Sequence, residues 1–341
     1  MARSPRDYDE SDVRVRPNRR GSRPRTKDRP AHADAVSGRV LAVDRGRYTV
    51  LVGDAPDRRV VLAMRARELG RKGIVVGDEV HLVGDTSGVD GSLARIVRVA
   101  VRDTVLRRTA DDTDPVERVI VANADQLVVV SALTNPEPRP RLIDRCLVAA
   151  YDAGMEPLLV LTKADLADPA PFLAQYAPLS VPHVVTSRSP EGIEGLDALR
   201  AALSGRVSVL VGHSGVGKST LVNALVPDAD RATGIVNVVT GRGRHTSTSA
   251  VALALPDDDG WVVDTPGVRS FGLAHVDLDR IIHHFPDLEP GTAQCPRGCT
   301  HDEEECALDA WVDSGAAGPA GVSRLESLRR LLRSRAPASE D

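Results

Sequence analysis

The stretch GHSGVGKST, residues 212–220, matches the phosphate-loop pattern G-x-x-x-x-G-K-[ST] and decides how the surrounding sequence is interpreted. The apolar run VSVLV precedes it and the helical segment STLVNAL follows it, as a strand–loop–helix unit requires. Its glycines let backbone N–H groups wrap phosphate oxygens at the positive end of the following helix. The residues expected to hold a nucleotide here are Gly212, His213, Ser214, Gly215, Val216, Gly217, Lys218, Ser219 and Thr220.

Two residues of this loop have predicted chemical roles. Lys218 is expected to bridge the β- and γ-phosphates, and the Ser219 hydroxyl is expected to bind the Mg²⁺ that accompanies the nucleotide. The loop alone does not distinguish ATP from GTP, so an ATP-driven protein stays an alternative at this point.

The segment LTKAD, residues 161–165, favours guanine. Asp165 can accept hydrogen bonds from the N1–H and exocyclic amine of guanine, which adenine does not offer in that arrangement. Lys163 is expected to lay its stem along the base. Thr162 stands where many such proteins carry Asn, which predicts the loss of one tethering contact.

The segment VTSRSPEGI, residues 185–193, is a weaker signal on the same side of the predicted domain. It is expected to close over the guanine, with Thr186 and Ser187 placing polar groups near its O6. An ordinary Ser/Gly loop after a strand is the alternative.

DTPG, residues 264–267, follows the strand WVV and supplies the second magnesium motif. Asp264 is expected to hold the metal through water, and the Gly267 N–H to sense the γ-phosphate. The segment GRGRHTSTS between the two motifs is suited to a mobile switch, in which Thr246 or Thr248 is the predicted magnesium ligand.

The order of these motifs is unusual. GTP-binding domains usually place the phosphate loop first and the base reader last, whereas here TKAD and TSR precede GHSGVGKST and DTPG. The sequence therefore predicts a circularly permuted domain. Because the chain leaves that domain directly after DTPG, gain or loss of the γ-phosphate is expected to move the C-terminal unit.

The 341 residues divide into four predicted segments. Residues 1–35 form a basic, disordered tail, and 36–110 carry short alternating strands typical of an OB-type β-barrel. Residues 111–275 alternate apolar strands with helices, which predicts an α/β P-loop GTPase domain with a parallel sheet. Residues 276–341 are expected to form a zinc-binding α-helical domain.

The zinc prediction rests on a compact cluster of one histidine and three cysteines, Cys295, Cys299, His301 and Cys306. Four protein ligands complete a tetrahedral site, so one structural Zn²⁺ is expected. Cys146 falls on an apolar helical face and is expected in the core. In the last helix a leucine stripe is expected to pack on the protein, with the arginines facing outward toward RNA phosphates, or merely toward solvent: Arg324, Arg329, Arg330, Arg333 and Arg335.

Composition sets the expected class of protein. No apolar run approaches the roughly 18 residues of a membrane span, and the arginine-rich start does not resemble a secretory signal. A cytoplasmic monomer that does not contact membranes is expected. The net charge of −4 leaves only local patches for contact with polyanions.

Taken together, the motifs resemble the circularly permuted small ribosomal subunit biogenesis GTPases, the RsgA/YjeQ family, over about residues 36–335. The resemblance implies GTP/GDP binding and hydrolysis during late maturation of the small ribosomal subunit. It further implies stimulation by that subunit and rRNA binding through the OB and zinc domains. An RNA-binding assembly factor with little hydrolysis is the alternative.

The residue after DTPG bears on catalysis. Many GTPases have glutamine there to orient the attacking water, but this chain has Val268, whose aliphatic side chain cannot do so. His245 matches the switch histidine of the family and is expected to position the water, beside Lys218 and Thr246 as catalytic residues. Slow intrinsic hydrolysis is expected.

Overall fold

The structure is a computed structural model that describes residues 32–54, 57–70, 73–108, 118–227, 250–265, 273, 276 and 278–334. The predicted basic tail lies outside these residues except at its last four positions. From Asp34 onward the described residues belong to one compact unit.

The first five strands close into a small barrel. They are β1 (Val36–Asp44), β2 (Arg47–Val52), β3 (Arg59–Arg65), β4 (Glu79–Gly84) and β5 (Ala94–Val99). Their order is β1-β2-β3-β5-β4, and β4 pairs again with β1, so the sheet closes on itself. Val40, Val50 and Ile96 fill its interior and are fully buried. The predicted OB-type barrel is confirmed.

A short hairpin, β6 (Val105–Arg108) and β7 (Arg118–Ala122), leads from the barrel into the α/β sheet. The sheet strands are β8 (Gln126–Ala132), β9 (Glu156–Thr162), β10 (His183–Val185), β13 (Arg206–Val211), β14 (Val251–Ala254) and β15 (Gly260–Asp264). They lie in the order β10-β9-β8-β13-β15-β14, with β14 antiparallel to its neighbour and the others parallel. A separate hairpin, β11 (Ser187–Ser189) and β12 (Gly192–Glu194), follows β10.

Helices cover both faces of this sheet. They are α1 (Pro140–Ala153), α2 (Ala170–Tyr176), α3 (Leu196–Leu203), α4 (Lys218–Leu225), α5 (Leu278–Ile282), α6 (Ala307–Asp313) and α7 (Gly321–Arg333). Alternate residues of β8 enter two different cores: Val128 packs with α3 and α4, and Val129 packs with α1 and the C-terminal helices. Burial on both faces explains why the parallel strands are continuous apolar runs. Among the described residues, none of the helices has the length and apolar character needed to cross a membrane.

The barrel is joined to the α/β sheet at a close seam. Strand β1 pairs with β14 through Ala42 and Val251, and the Asn123 side chain donates to the Gly77 carbonyl at 3.0 Å. Arg102 donates to both carboxylate oxygens of the fully buried Asp78, at 2.6 and 2.8 Å. Hydrogen bonds to the backbone therefore join the barrel to the sheet, and an ion pair neutralises the buried Asp78 carboxylate beside this seam.

The last helix confirms one sequence prediction and adds ion pairs that the sequence did not predict. Its apolar stripe is buried, as expected at Leu325, Leu328, Leu331 and Leu332. Its arginines do not form a free surface, because each described one lies against a carboxylate of the same chain: Arg324 with Asp287, Arg329 with Asp309, Arg330 with Asp144 and Arg333 with Asp302. Arg333 remains exposed beside its carboxylate partner, so contact of these arginines with RNA phosphates stays a prediction; Arg335 lies outside the described residues.

The seam offers a test of backbone crowding at Gly77. Its φ is +87°, and a Cβ there would lie 1.9 Å from the Ala122 carbonyl oxygen. We expect Gly77→Ala to lower the free energy of unfolding by about 3 kcal/mol or more, since the two backbones must separate. Gly46 has nearly the same φ, +86°, but open space around it, so Gly46→Ala should cost only about 1–2 kcal/mol. Urea unfolding of both variants measures the difference, and equal losses would contradict the account of the seam.

Candidate nucleotide site and metal centre

A cleft of about 620 Å³ opens where the carboxyl ends of β9, β10 and β13 meet. Ligands of open α/β sheets bind at this end of the strands. Twelve of the predicted site residues line the cleft: Thr162, Lys163, Asp165, Thr186, Ser187, His213, Ser214, Gly215, Gly217, Lys218, Ser219 and Thr220.

The phosphate loop is shaped by close packing. A Cβ on Gly212 would lie 2.4 Å from the Val130 carbonyl oxygen, so the loop can leave β13 only with glycine there. Gly217 has a φ of +95° and precedes the first residue of α4, Lys218. The first turn of α4 lines the cleft through Lys218, Ser219 and Thr220. Backbone N–H groups in the first turn of a helix have no partner within the helix, which is the usual arrangement for binding phosphate. Of the predicted loop residues, Gly212 and the buried Val216 shape the loop without lining the cleft.

Thr162 ties the two separated motifs together. Its buried hydroxyl donates to the carbonyl of Val216 in the phosphate loop at 2.6 Å. The prediction that threonine loses a tethering contact is therefore wrong, because the loop approaches closely enough for a hydroxyl to reach it.

The two segments predicted to read the base are also joined to each other. Asp165 is exposed to the cleft, and its Oδ1 accepts a hydrogen bond from the backbone N–H of Arg188 at 3.0 Å. The Thr186 N–H donates to the Leu161 carbonyl at 2.7 Å. Thr186 and Ser187 were both predicted to lie over the guanine. Thr186 is buried and holds the loop in place. The Ser187 hydroxyl donates to the Glu194 carboxylate at 2.7 Å.

Lys163 adopts a positive φ of +63°, and its ammonium donates to the carbonyl of Asn135 on the opposite loop. His213 Nδ1 lies 2.9 Å from the Ser214 carbonyl oxygen of its own loop. The side chains of Lys163 and His213 therefore line the cleft, and each contacts a backbone carbonyl group of a loop at its edge.

Lys218 and Asp264 meet at the phosphate end of the cleft. Their Nζ and Oδ1 atoms are 3.7 Å apart, and Asp264 Oδ1 is buried without a hydrogen-bond partner among the described residues. A buried carboxylate oxygen of this kind fits a Mg²⁺ site, since this hard cation prefers oxygen ligands. Ser219, the next residue of α4, also lines the cleft and carries a hydroxyl.

The predicted switch residues His245, Thr246 and Thr248 lie outside the described residues, as do Gly267 and Val268. Their roles stay predictions.

Four cleft residues were not identified from the sequence: Leu166, Arg188, Ile193 and Leu221. Arg188 and Ile193 lie opposite each other in the β11–β12 hairpin, so both side chains face the same way. The triplet Ser-Pro-Glu followed by glycine, residues 189–192, indicated a turn and could have suggested this hairpin.

The predicted metal ligands come together in the C-terminal region. The ligand atoms of Cys295, Cys299, His301 and Cys306 lie within 4.8 Å of one another. His301 Nδ1 is 3.6 Å from Cys295 Sγ, 3.7 Å from Cys299 Sγ and 3.9 Å from Cys306 Sγ. A tetrahedral centre with metal–sulfur bonds of 2.3 Å has edges of about 3.8 Å, so the four groups fit a closed metal site.

The metal cluster is braced by neighbouring charges. Arg329 donates to the His301 carbonyl at 3.0 Å and to both carboxylate oxygens of Asp309. Glu303 accepts hydrogen bonds from the Thr300 N–H and hydroxyl, which lower the pKa of its carboxyl to about 2. Glu303 therefore holds the loop between Cys299 and Cys306 in place.

Cys146 is separate from the cluster, as predicted. It is buried in α1, and burial raises the pKa of its thiol to about 12. Its place in the apolar core, apart from the four grouped ligand atoms, makes Cys146 a core residue.

Comparisons with known proteins agree with this architecture. A family model described as RsgA GTPase matches residues 99–274. The small ribosomal subunit biogenesis GTPase RsgA of Pseudomonas aeruginosa is 39% identical over 269 residues, which cover 76% of each chain. The protein of the same name from Gemmatimonas aurantiaca is 36% identical over 265 residues, covering 77% of this chain and 85% of that protein.

Solved structures support the fold. The crystal structure of YjeQ from Thermotoga maritima aligns with a TM-score of 0.63 and 28% identity, covering 88% of this chain and 98% of that one. YloQ, described as a circularly permuted GTPase, aligns with a TM-score of 0.61 and 21% identity, covering 91% and 99%. The permuted order of motifs, the P-loop sheet and the barrel are therefore confirmed, and the chain belongs to the RsgA GTPase family.

Proposed function

We propose that this protein hydrolyses GTP in the biogenesis of the small ribosomal subunit and that the cleft described above is its nucleotide site. The observation that carries the proposal is the meeting of the TKAD and phosphate-loop motifs in one cleft, although they lie about 50 residues apart in permuted order. Both GTP and its product GDP bind there.

Asp165 reads the base. Its exposed carboxylate borders the cleft and is oriented by the Arg188 N–H, which leaves acceptor capacity for the two donors of guanine. The stem of Lys163 packs along the base, while Thr186 and Ser187 shape the loop near its O6.

The phosphates bind at the N-terminus of α4. Backbone N–H groups from Gly212 to Thr220 and the Lys218 ammonium surround them. When the phosphates bind, the Lys218 ammonium leaves its ion pair with Asp264 and contacts the phosphate oxygens instead. Ser219, Asp264 and Thr246 or Thr248 are the residues that would hold Mg²⁺, which neutralises the charge that develops on the transferred phosphoryl group.

Hydrolysis needs an oriented water. We assign this role to His245, because Val268 offers neither a donor nor an acceptor; Gly267 and Thr246 complete the γ-phosphate side. With no glutamine beside DTPG, intrinsic turnover is slow.

The partner is the small ribosomal subunit. The relatives from Pseudomonas aeruginosa and Gemmatimonas aurantiaca are named for the biogenesis of this subunit. Contact of the OB barrel and the metal domain with rRNA in the cytoplasm fits this role. The protein acts as a monomer.

The cluster of three cysteines and one histidine holds one structural Zn²⁺. Three thiolates and one imidazole at tetrahedral spacing are the donor set that zinc prefers, and they leave no open position for catalysis.

Base reading is tested by changing one acceptor into a donor. Asp165→Asn should weaken GTP binding by about a hundredfold or more and improve binding of xanthosine triphosphate, whose C2 carbonyl accepts from the amide. The control is Asp168→Asn: Asp168 is exposed, hydrogen-bonds Ala170 and does not line the cleft. Fluorescent-nucleotide titration measures both, and unchanged GTP affinity in Asp165→Asn would remove Asp165 from this role.

The metal is tested by its content. Cys306→Ser should reduce bound zinc, measured by mass spectrometry of the purified protein, from about one ion per chain to nearly none, and lower the thermal midpoint. Cys146→Ala should retain the zinc. If Cys306→Ser keeps a full ion, the four residues are not its ligands.

The partner and the switch histidine are tested by GTP turnover with and without purified small ribosomal subunits. We expect subunits to raise turnover more than about tenfold and His245→Ala to lower the stimulated rate about a hundredfold, the usual loss of a general acid–base group. His183→Ala, exposed on the edge strand β10, should keep the wild-type rate. Equal turnover with and without subunits would refute the partner, and full stimulation of His245→Ala would refute its role.

A further inference from the structure

The β11–β12 hairpin presents one cationic side chain to the nucleotide cleft. Its register pairs Arg188 with Ile193 and Ser187 with Glu194. Ser187 and Glu194 hydrogen-bond to each other, while Arg188 and Ile193 both line the cleft. Because directly opposed residues share a face, the hairpin fixes Arg188 on the cleft side.

Arg188 spans the distance between the two ends of the site. Its backbone N–H donates to Asp165 Oδ1 at 3.0 Å, which places its Cα beside the base-reading carboxylate. Its guanidinium Nη2 lies 3.5 Å from the hydroxyl oxygen of Thr220, in the first turn of α4. The side chain therefore runs from the base end of the cleft to the phosphate end.

The guanidinium is poorly neutralised within the part of the chain that the structure describes. Its hydrogen-bonding contact there is a neutral hydroxyl, whereas the arginines of α7 each meet a carboxylate. Arg188 is also exposed to the cleft. A planar cation with free donors at the positive end of a helix is suited to a phosphate group.

We propose that Arg188 binds the phosphate nearest the ribose, the α-phosphate, of the guanine nucleotide. Lys218 lies beside Asp264 and serves the far phosphates, while Asp165 serves the base. The groups between them are the ribose and the α-phosphate, and only the phosphate carries the negative charge that suits the guanidinium beside Thr220. GTP and GDP share this phosphate. Arg188 therefore raises the affinity for both nucleotides alike and slows GDP release without discriminating between the two.

This inference rests on the proposed guanine-nucleotide site, and its test separates the two. Calorimetric titration with GTP, GDP, GMP and guanosine compares the wild type with Arg188→Ala and Arg188→Lys. We expect Arg188→Ala to bind the three nucleotides about tenfold more weakly, to an equal extent, and guanosine unchanged. Arg188→Lys should recover part of the loss, because it keeps the charge but not the bidentate geometry.

The matched control is Arg200→Ala, which removes an exposed arginine on α3 that pairs with Asp197 and does not line the cleft. Its affinities should equal those of the wild type, and thermal midpoints of all variants show whether they fold alike. Unchanged nucleotide affinities in Arg188→Ala, or an equal loss for guanosine, would overturn the assignment to the α-phosphate. A wild-type protein that binds none of the four ligands would instead refute the proposed function.

Discussion

The hydrogen bond from the Thr162 hydroxyl to the Val216 carbonyl holds the nucleotide cleft together. The predicted base-reading motif and the phosphate loop lie about 50 residues apart in the chain, with α2, β10 and α3 between them, so no short loop connects them. Parallel pairing of β8 with both β9 and β13 brings their carboxyl ends to the same edge. The buried hydroxyl then adds a direct contact between the two motifs at this edge.

The same permutation gives the C-terminal region a double attachment. The chain enters that region after β15, whose Asp264 lies at the phosphate end of the cleft. Its last helix returns to α1, where Arg330 pairs with the buried Asp144 and Arg145 donates to the Ser334 carbonyl at 2.6 Å. Motion that begins at the phosphates and reaches the metal cluster must therefore also strain or release these contacts with α1.

Much of the site could be predicted from the sequence because its chemistry depends on local motifs. A phosphate loop needs its glycines and lysine at fixed spacing, and the candidate metal site takes all four of its ligands from one short segment. The Thr162 tether could not be predicted, because it depends on how closely two distant loops approach. The α7 arginines face carboxylates at 144, 287, 302 and 309, which helical periodicity does not reveal. Arg188 was not identified from the sequence, because the side of the hairpin on which it lies depends on the register of two three-residue strands, β11 and β12.

Selection of guanine nucleotides by this permuted cleft is the property on which the proposed function depends. Competition between GTP and ATP for the wild-type protein, in the presence of Mg²⁺, tests it most directly. Because adenine leaves the Asp165 carboxylate without its donors, we predict that GTP binds at least about a hundredfold more tightly than ATP. Equal affinities for the two nucleotides would contradict the account.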